Sequence, residues 1–152
     1  MTYTELTVVP GKIYSFKITA VNVVGEGNQS SQIQIIASLV PGTPVTPIKV
    51  SADSSPQITI SWAAPAYNGG SPISIYKVYM NGSLVGTTSS PTVTYTQTAS
   101  LFVGNTYLFT VSAVNPVGEG SQSASVSIIA AQVPSAPSAP TKKSSNASSV
   151  EV

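Results

Sequence analysis

"TYLFTVSAVNPVGEGSQSASVSII", residues 106–129, decides the fold of this chain. Its first ten residues alternate, with Tyr107, Phe109, Val111 and Ala113 on one face and Leu108, Thr110 and Ser112 on the other. Successive side chains of an extended strand point to opposite faces, so this pattern predicts a strand with one face in a core. "NPVGEGS", residues 115–121, then gathers Asn, Pro and Gly, residues that reverse a chain. "SVSII" resumes the alternation with Val126 and Ile128. The reading is two neighbouring strands joined by a loop.

The same text occurs earlier in the chain. "GKIYSFKITAVNVVGEGNQSSQIQIIASLVPGTP", residues 11–44, aligns without a gap on residues 104–137, and 18 of the 34 positions are identical. Tyr14 falls on Tyr107, 93 residues on, and Pro41, Pro44 and Pro47 fall on Pro134, Pro137 and Pro140. Self-similarity of this kind marks an array of repeated units. A Pro at every third position favours the extended polyproline conformation, so these stretches are expected to be semi-rigid linkers leading into a first strand. The chain then divides into the C-terminal part of one unit (1–41), a complete unit (44–133) and the start of a third (137–152). On that division Met1 is not expected to be a biological start, and the segment is expected to belong to a longer chain.

Within the complete unit the alternation recurs. Ile58, Ile60 and Trp62 share a face, as do Tyr76, Val78 and Met80. "YNGGSP" (67–72) and "NGS" (81–83) punctuate them, and Asn-Gly accepts the positive φ of a tight hairpin. Strands are expected at roughly 46–52, 57–63, 73–80, 84–88, 92–97, 105–114 and 122–130. Seven short strands without helical periodicity indicate an all-β, immunoglobulin-like Greek-key sandwich. The expected core is Trp62, Tyr76, Val78, Leu101, Tyr107, Phe109 and Val111, with Tyr14 as the counterpart of Tyr107.

"ITISWAAP", "YNGGSPISIYKVYM" and "LFVGNTYLFTVSAVNPVGEG" resemble the second strand, the third strand with its loop, and the sixth strand of fibronectin type III domains. Leu101 and Tyr107 stand where the family has its Leu and its corner Tyr, and Val8 replaces that Leu in the first copy. The resemblance implies two sheets in tandem units: first, second and fifth strands against third, fourth, sixth and seventh. The Arg-Gly-Asp of some members is absent, since "VGEG" stands there and the chain has no Arg.

Composition bounds the function. Charged residues make up 7% of the chain and its net charge is +1, so no strong field selects an acidic or basic partner. Phosphate and guanine recognition favours the bidentate guanidinium, so six Lys without Arg argue against nucleic acid. Without Cys there is no disulfide framework. No apolar run is long enough to span a membrane, and the N-terminal residues lack a signal-peptide pattern. With no His, no Cys, one Asp and four scattered Glu, no acid–base pair, triad or metal-ligand cluster is expected, and no cofactor. Glu26 and Glu119 occupy equivalent places and read as a solvated loop feature.

Three Asn-X-Ser sequons, at Asn28, Asn81 and Asn146, are candidate N-glycosylation sites, all in expected loops. Asn81 also reads simply as a hairpin turn. Tyr14, Tyr76 and Tyr107 read as core or corner residues, and Tyr79 and Tyr95 are left unassigned between core and a sugar-stacking face. Together these readings give a non-catalytic structural or spacer module of a long, extracellular or cell-surface, glycosylated chain or filament. Its partners would be neighbouring domains, or identical subunits in a filament. The alternatives are an adhesion or receptor module binding protein or carbohydrate through its loops, an accessory spacer of a large secreted enzyme, and an intracellular muscle-like array.

Overall fold

The computed structural model describes residues 2–50, 57–141, 144–145 and 150–151. All of its elements are strands: β1 (Ile13–Phe16), β2 (Ile33–Ile36), β3 (Ile48–Lys49), β4 (Ile58–Ser61), β5 (Ile75–Met80), β6 (Ser83–Ser89), β7 (Thr94–Gln97), β8 (Thr106–Asn115), β9 (Gly118–Glu119), β10 (Val126–Ile129), β11 (Ser144–Ser145) and β12 (Val150–Glu151). The complete unit holds two antiparallel sheets. One has the order β3-β4-β7, and the other β10-β8-β5-β6 with β9 added beside β8. This is the division of first, second and fifth strands against the rest.

The alternating residues build the core between the sheets. Ile58, Ile60 and Trp62 from one sheet meet Tyr76, Val78, Met80, Tyr107, Phe109, Val111 and Ala113 from the other, all buried. Each such large aliphatic or aromatic side chain contributes about 1.5–3 kcal/mol by leaving water. The Trp62 and Tyr76 rings meet edge to face, 5.6 Å between centroids. Leu101 packs half-buried against this cluster. Asn81 and Gly82, at φ 51° and 81°, form the expected tight turn between β5 and β6. Asn81 Oδ1 also accepts the Leu108 amide of β8 at 2.9 Å.

The sequence repeat is also a repeat of hydrogen bonds. Tyr107 Oη accepts the Phe102 amide at 2.9 Å, and Tyr14 Oη accepts the Val9 amide at 2.8 Å. The amides of Gly104 and Gly11 donate to Ala130 and Ala37, and those of Gly120 and Gly27 to Ala113 and Ala20. The β1–β2 hairpin pairs Ile13 with Ile36, as β8 and β10 pair Thr106 with Ile129. Exposure differs between the copies. Val111 is fully buried, whereas Ile18, its counterpart, is 75% exposed because no second sheet covers the first hairpin among the described residues.

Two features depart from the sequence reading. Ser112 lies on the outward face of β8 yet is fully buried, because the β9 loop folds over it. Pro41, Pro44 and Pro47, expected to be linker, are all buried. A three-residue repeat puts every third side chain on one edge of an extended chain, and this edge lies against the unit.

Candidate functional site

No group of three or more His, Cys, Asp or Glu that could hold a metal ion occurs among the described residues. Nor is any helix long and apolar enough to cross a membrane among them. The polar side chains instead gather at two places on the complete unit.

The first is the outer face of the larger sheet. β5 and β8 pair Lys77 with Ser112 and Tyr79 with Thr110, which sets Lys77, Tyr79 and Ser112 side by side on that face. Glu119 reaches over from β9. Its carboxylate accepts from Lys77 Nζ at 2.6 Å, from Tyr79 Oη at 2.6 Å and from Ser112 Oγ. The Lys77 contact, then the Ser112 and Tyr79 hydroxyls, pull the Glu119 carboxyl down to about 2. Glu119 in turn raises the Lys77 ammonium. A carboxylate with three donors is a clamp on its loop, which corrects the solvated reading. In the first copy Thr19 Oγ1 donates to Glu26 at 2.6 Å, the counterpart of the Ser112 bond. Sequence alone could not place Lys77 and Tyr79 under Glu119, since 40 or more residues separate them.

The second place is the end of the sandwich where residues 39–42 cross. The amides of Leu39 and Gly42 donate to the carbonyls of Gly69 and Tyr67, both at 2.8 Å. Asn115, 3% exposed, donates from Nδ2 to the carbonyls of Leu39 (2.7 Å) and Asn68 (3.0 Å). Its Oδ1 accepts the Val117 and Gly118 amides.

Of the sequon residues, Asn28 and Asn81 are exposed, and Asn146 lies outside the described residues. Tyr79 is occupied by Glu119. Tyr95 Oη, on β7, lies 2.7 Å from the Val85 carbonyl of β6 and 2.9 Å from Gln97 Oε1, tying the two sheets together. A groove of about 840 Å³ follows the open face of the first hairpin past Tyr14, Phe16, Ile18, Ile33 and Ile35. Its lining is mostly apolar, with Tyr3 donating to Glu5 at 2.9 Å on its exposed side.

Comparison with known proteins agrees with this geometry. The family model described as "Fibronectin type III domain" matches residues 43–129. M-protein of striated muscle from Gallus gallus is 32% identical over 131 residues, covering 80% of this chain and 9% of that protein. A poly(3-hydroxybutyrate) depolymerase of Ralstonia pickettii is 42% identical over 87 residues, covering 57% of this chain and 16% of its own length. The crystal structure of domains A168–A170 from titin superposes with a TM-score of 0.64 at 26% identity, over 82% of this chain and 43% of that one. The chain thus spans less than a fifth of the length of these two relatives.

Proposed function

The chain belongs to the fibronectin type III domain family, and on that premise we propose that it is a non-catalytic structural spacer of a longer, extracellular and glycosylated multidomain chain. The units would be residues 1–41, 44–133 and 137–152. One observation carries the reading: the hydrogen-bond set of the Tyr107 corner and the β8–β10 loop recurs 93 residues earlier, around Tyr14. The same Val-Gly-Glu-Gly stretch on successive units suits a spacer, whereas loops diversified for recognition would differ. The resemblance to titin domains and to striated-muscle M-protein supports the spacer role. Sparse charge, abundant hydroxyls and exposed Asn28 and Asn81 support the extracellular setting.

A second reading has its own support. The 42% identity to a depolymerase over 87 residues favours an accessory module beside a secreted enzyme. Two measurements test the spacer reading and its extracellular setting. Stretched singly, the complete unit should rupture in one step and release about 30 nm of chain, given roughly 3.3–3.6 Å per extended residue. Intact mass of native material, before and after N-glycosidase, should fall on deglycosylation. Gradual extension without a rupture would sink the mechanical role. An unchanged mass would remove the glycosylated setting and favour the muscle-like array.

A further inference from the structure

We propose that the Asn115–Gly120 loop, with Gly69, is a seat for the linker of the preceding repeat, and that it locks successive units at a fixed angle. The proposal rests on the spacer reading and adds how the joint is made. Its occupant is the extended Leu39–Gly42 segment, held by its own backbone groups. The Leu39 amide bonds to Gly69 and its carbonyl to Asn115 in the seat, and the Gly42 amide bonds to Tyr67 beside it. Recognition through backbone depends on extended shape more than on side chains, so one seat can serve every linker of the array.

Gly120 carries the argument. Its φ lies outside the left-handed range, so nothing in its own backbone requires glycine. A Cβ there would collide with the Pro41 carbonyl, and the three atoms nearest to it belong to Pro41 and Gly42. A backbone carbonyl cannot swing aside as a side chain can. A Cβ at Gly69 would likewise strike the Leu39 carbonyl.

The first copy supplies the control. Gly27 is the counterpart of Gly120 and makes the same loop bond, to Ala20. No linker lies against it among the described residues, and a Cβ there would only touch the Ala20 carbonyl at 3.4 Å. The loop therefore forms without a linker, and the missing side chain leaves room for one. The prolines agree. Pro41, Pro44 and Pro47 are buried against the unit they enter.

Amide exchange and ¹⁵N relaxation on the full 152-residue chain test this. In the parent, the Leu39 and Gly42 amides should exchange at least tenfold more slowly than in Gly120→Val. The β1–β2 hairpin should tumble with β5 and β8 in the parent and independently in that variant. Gly27→Val should match the parent. Should Gly120→Val fail to fold, Asn115→Asp still decides: it keeps the acceptor for Val117 and Gly118 and removes the donor to Leu39. With the Leu39 carbonyl released, the adjoining bond from the Leu39 amide to Gly69 should open and that amide exchange faster, while Val78 and Val111 stay protected. Fast Leu39 and Gly42 exchange in the parent would overturn the proposal, as would Gly27→Val loosening the joint as much as Gly120→Val. A chain proven to be an adhesion module with slow Leu39 and Gly42 exchange would refute the spacer role and leave the joint standing.

Discussion

Tyr107 and Glu119 show how single side chains hold the sandwich closed. The Tyr107 ring is buried while its hydroxyl receives the Phe102 amide, so one residue joins the core to the loop before β8. Tyr107→Phe keeps the ring and removes the acceptor. The cost should be about 0.5–1.5 kcal/mol, towards the lower end because Phe102 is exposed and water can replace the hydroxyl. Chemical denaturation of parent and variant measures it, and an unchanged midpoint would show the corner bond to be idle. Glu119 makes a pH-dependent contribution. Its carboxyl is lowered in the folded state to about 2 by Lys77 foremost, so the unfolded chain binds this proton more readily. The resulting stability is fully present above about pH 4.5 and is lost as the pH falls towards 2. Melting temperatures of parent and Glu119→Gln should therefore converge as acid is added across that window. A gap that stays constant from pH 6 to pH 2 would remove the clamp from the stability of the fold.

At the scale of the element, β6 is shaped by a residue from the opposite sheet. Its pairing with β5 shifts register after Val78, which leaves Val85 between Gly86 and Leu84. The Val85 carbonyl receives Tyr95, and the Tyr95 ring lies where a Cβ on Gly86 would stand. Gly86→Val should therefore displace Tyr95 and cost about 1–3 kcal/mol, the usual range for overfilling a packed site. Loss of the Tyr95 bond should show in its ultraviolet resonance Raman signature, and a variant as stable as the parent would mean the ring can shift freely. This contact was not legible in the sequence. Strand positions and the inward faces of β4, β5 and β8 were, because a period of two is a property of one strand. Glu119 over Lys77 and Tyr95 over Gly86 depend on which strands become neighbours, and pairing of distant segments leaves no local pattern. The buried prolines were half legible. Their spacing of three gave an extended segment, but whether that segment lies free or against a surface is decided by loops some 30–80 residues further on, Gly69 and Gly120 among them. Asn81 was legible in both of its readings, since the turn and the sequon use the same side chain.

For the whole molecule, the two copies make opposite demands on water, and the linker between them belongs structurally to the second. Residues 39–42 give the complete unit three hydrogen bonds and a buried Pro41, all absent from a chain that begins at residue 44. Each bond is worth about 0.5–1.5 kcal/mol net, and partial exposure puts these at the low end. A chain of residues 38–133 should therefore melt several degrees above one of residues 44–133, since about 1 kcal/mol shifts a domain of this size by roughly 4–8 °C. Both should be monomers, because the core of the complete unit is closed. The full 152-residue chain should behave otherwise. Its first hairpin exposes Ile18, Ile33 and Ile35 at 75%, 59% and 51%, along one open groove. An uncovered sheet face of that kind is a site of self-association. Sedimentation of the three chains from about 10 to 300 µM, a range chosen around the micromolar onset of such association, should give constant masses for the two shorter ones. The full chain should gain mass as concentration rises. A monodisperse full chain with residues 13–36 resistant to protease would show that the hairpin face is covered within one molecule. Equal melting of the two shorter chains would detach the linker from the unit it crosses.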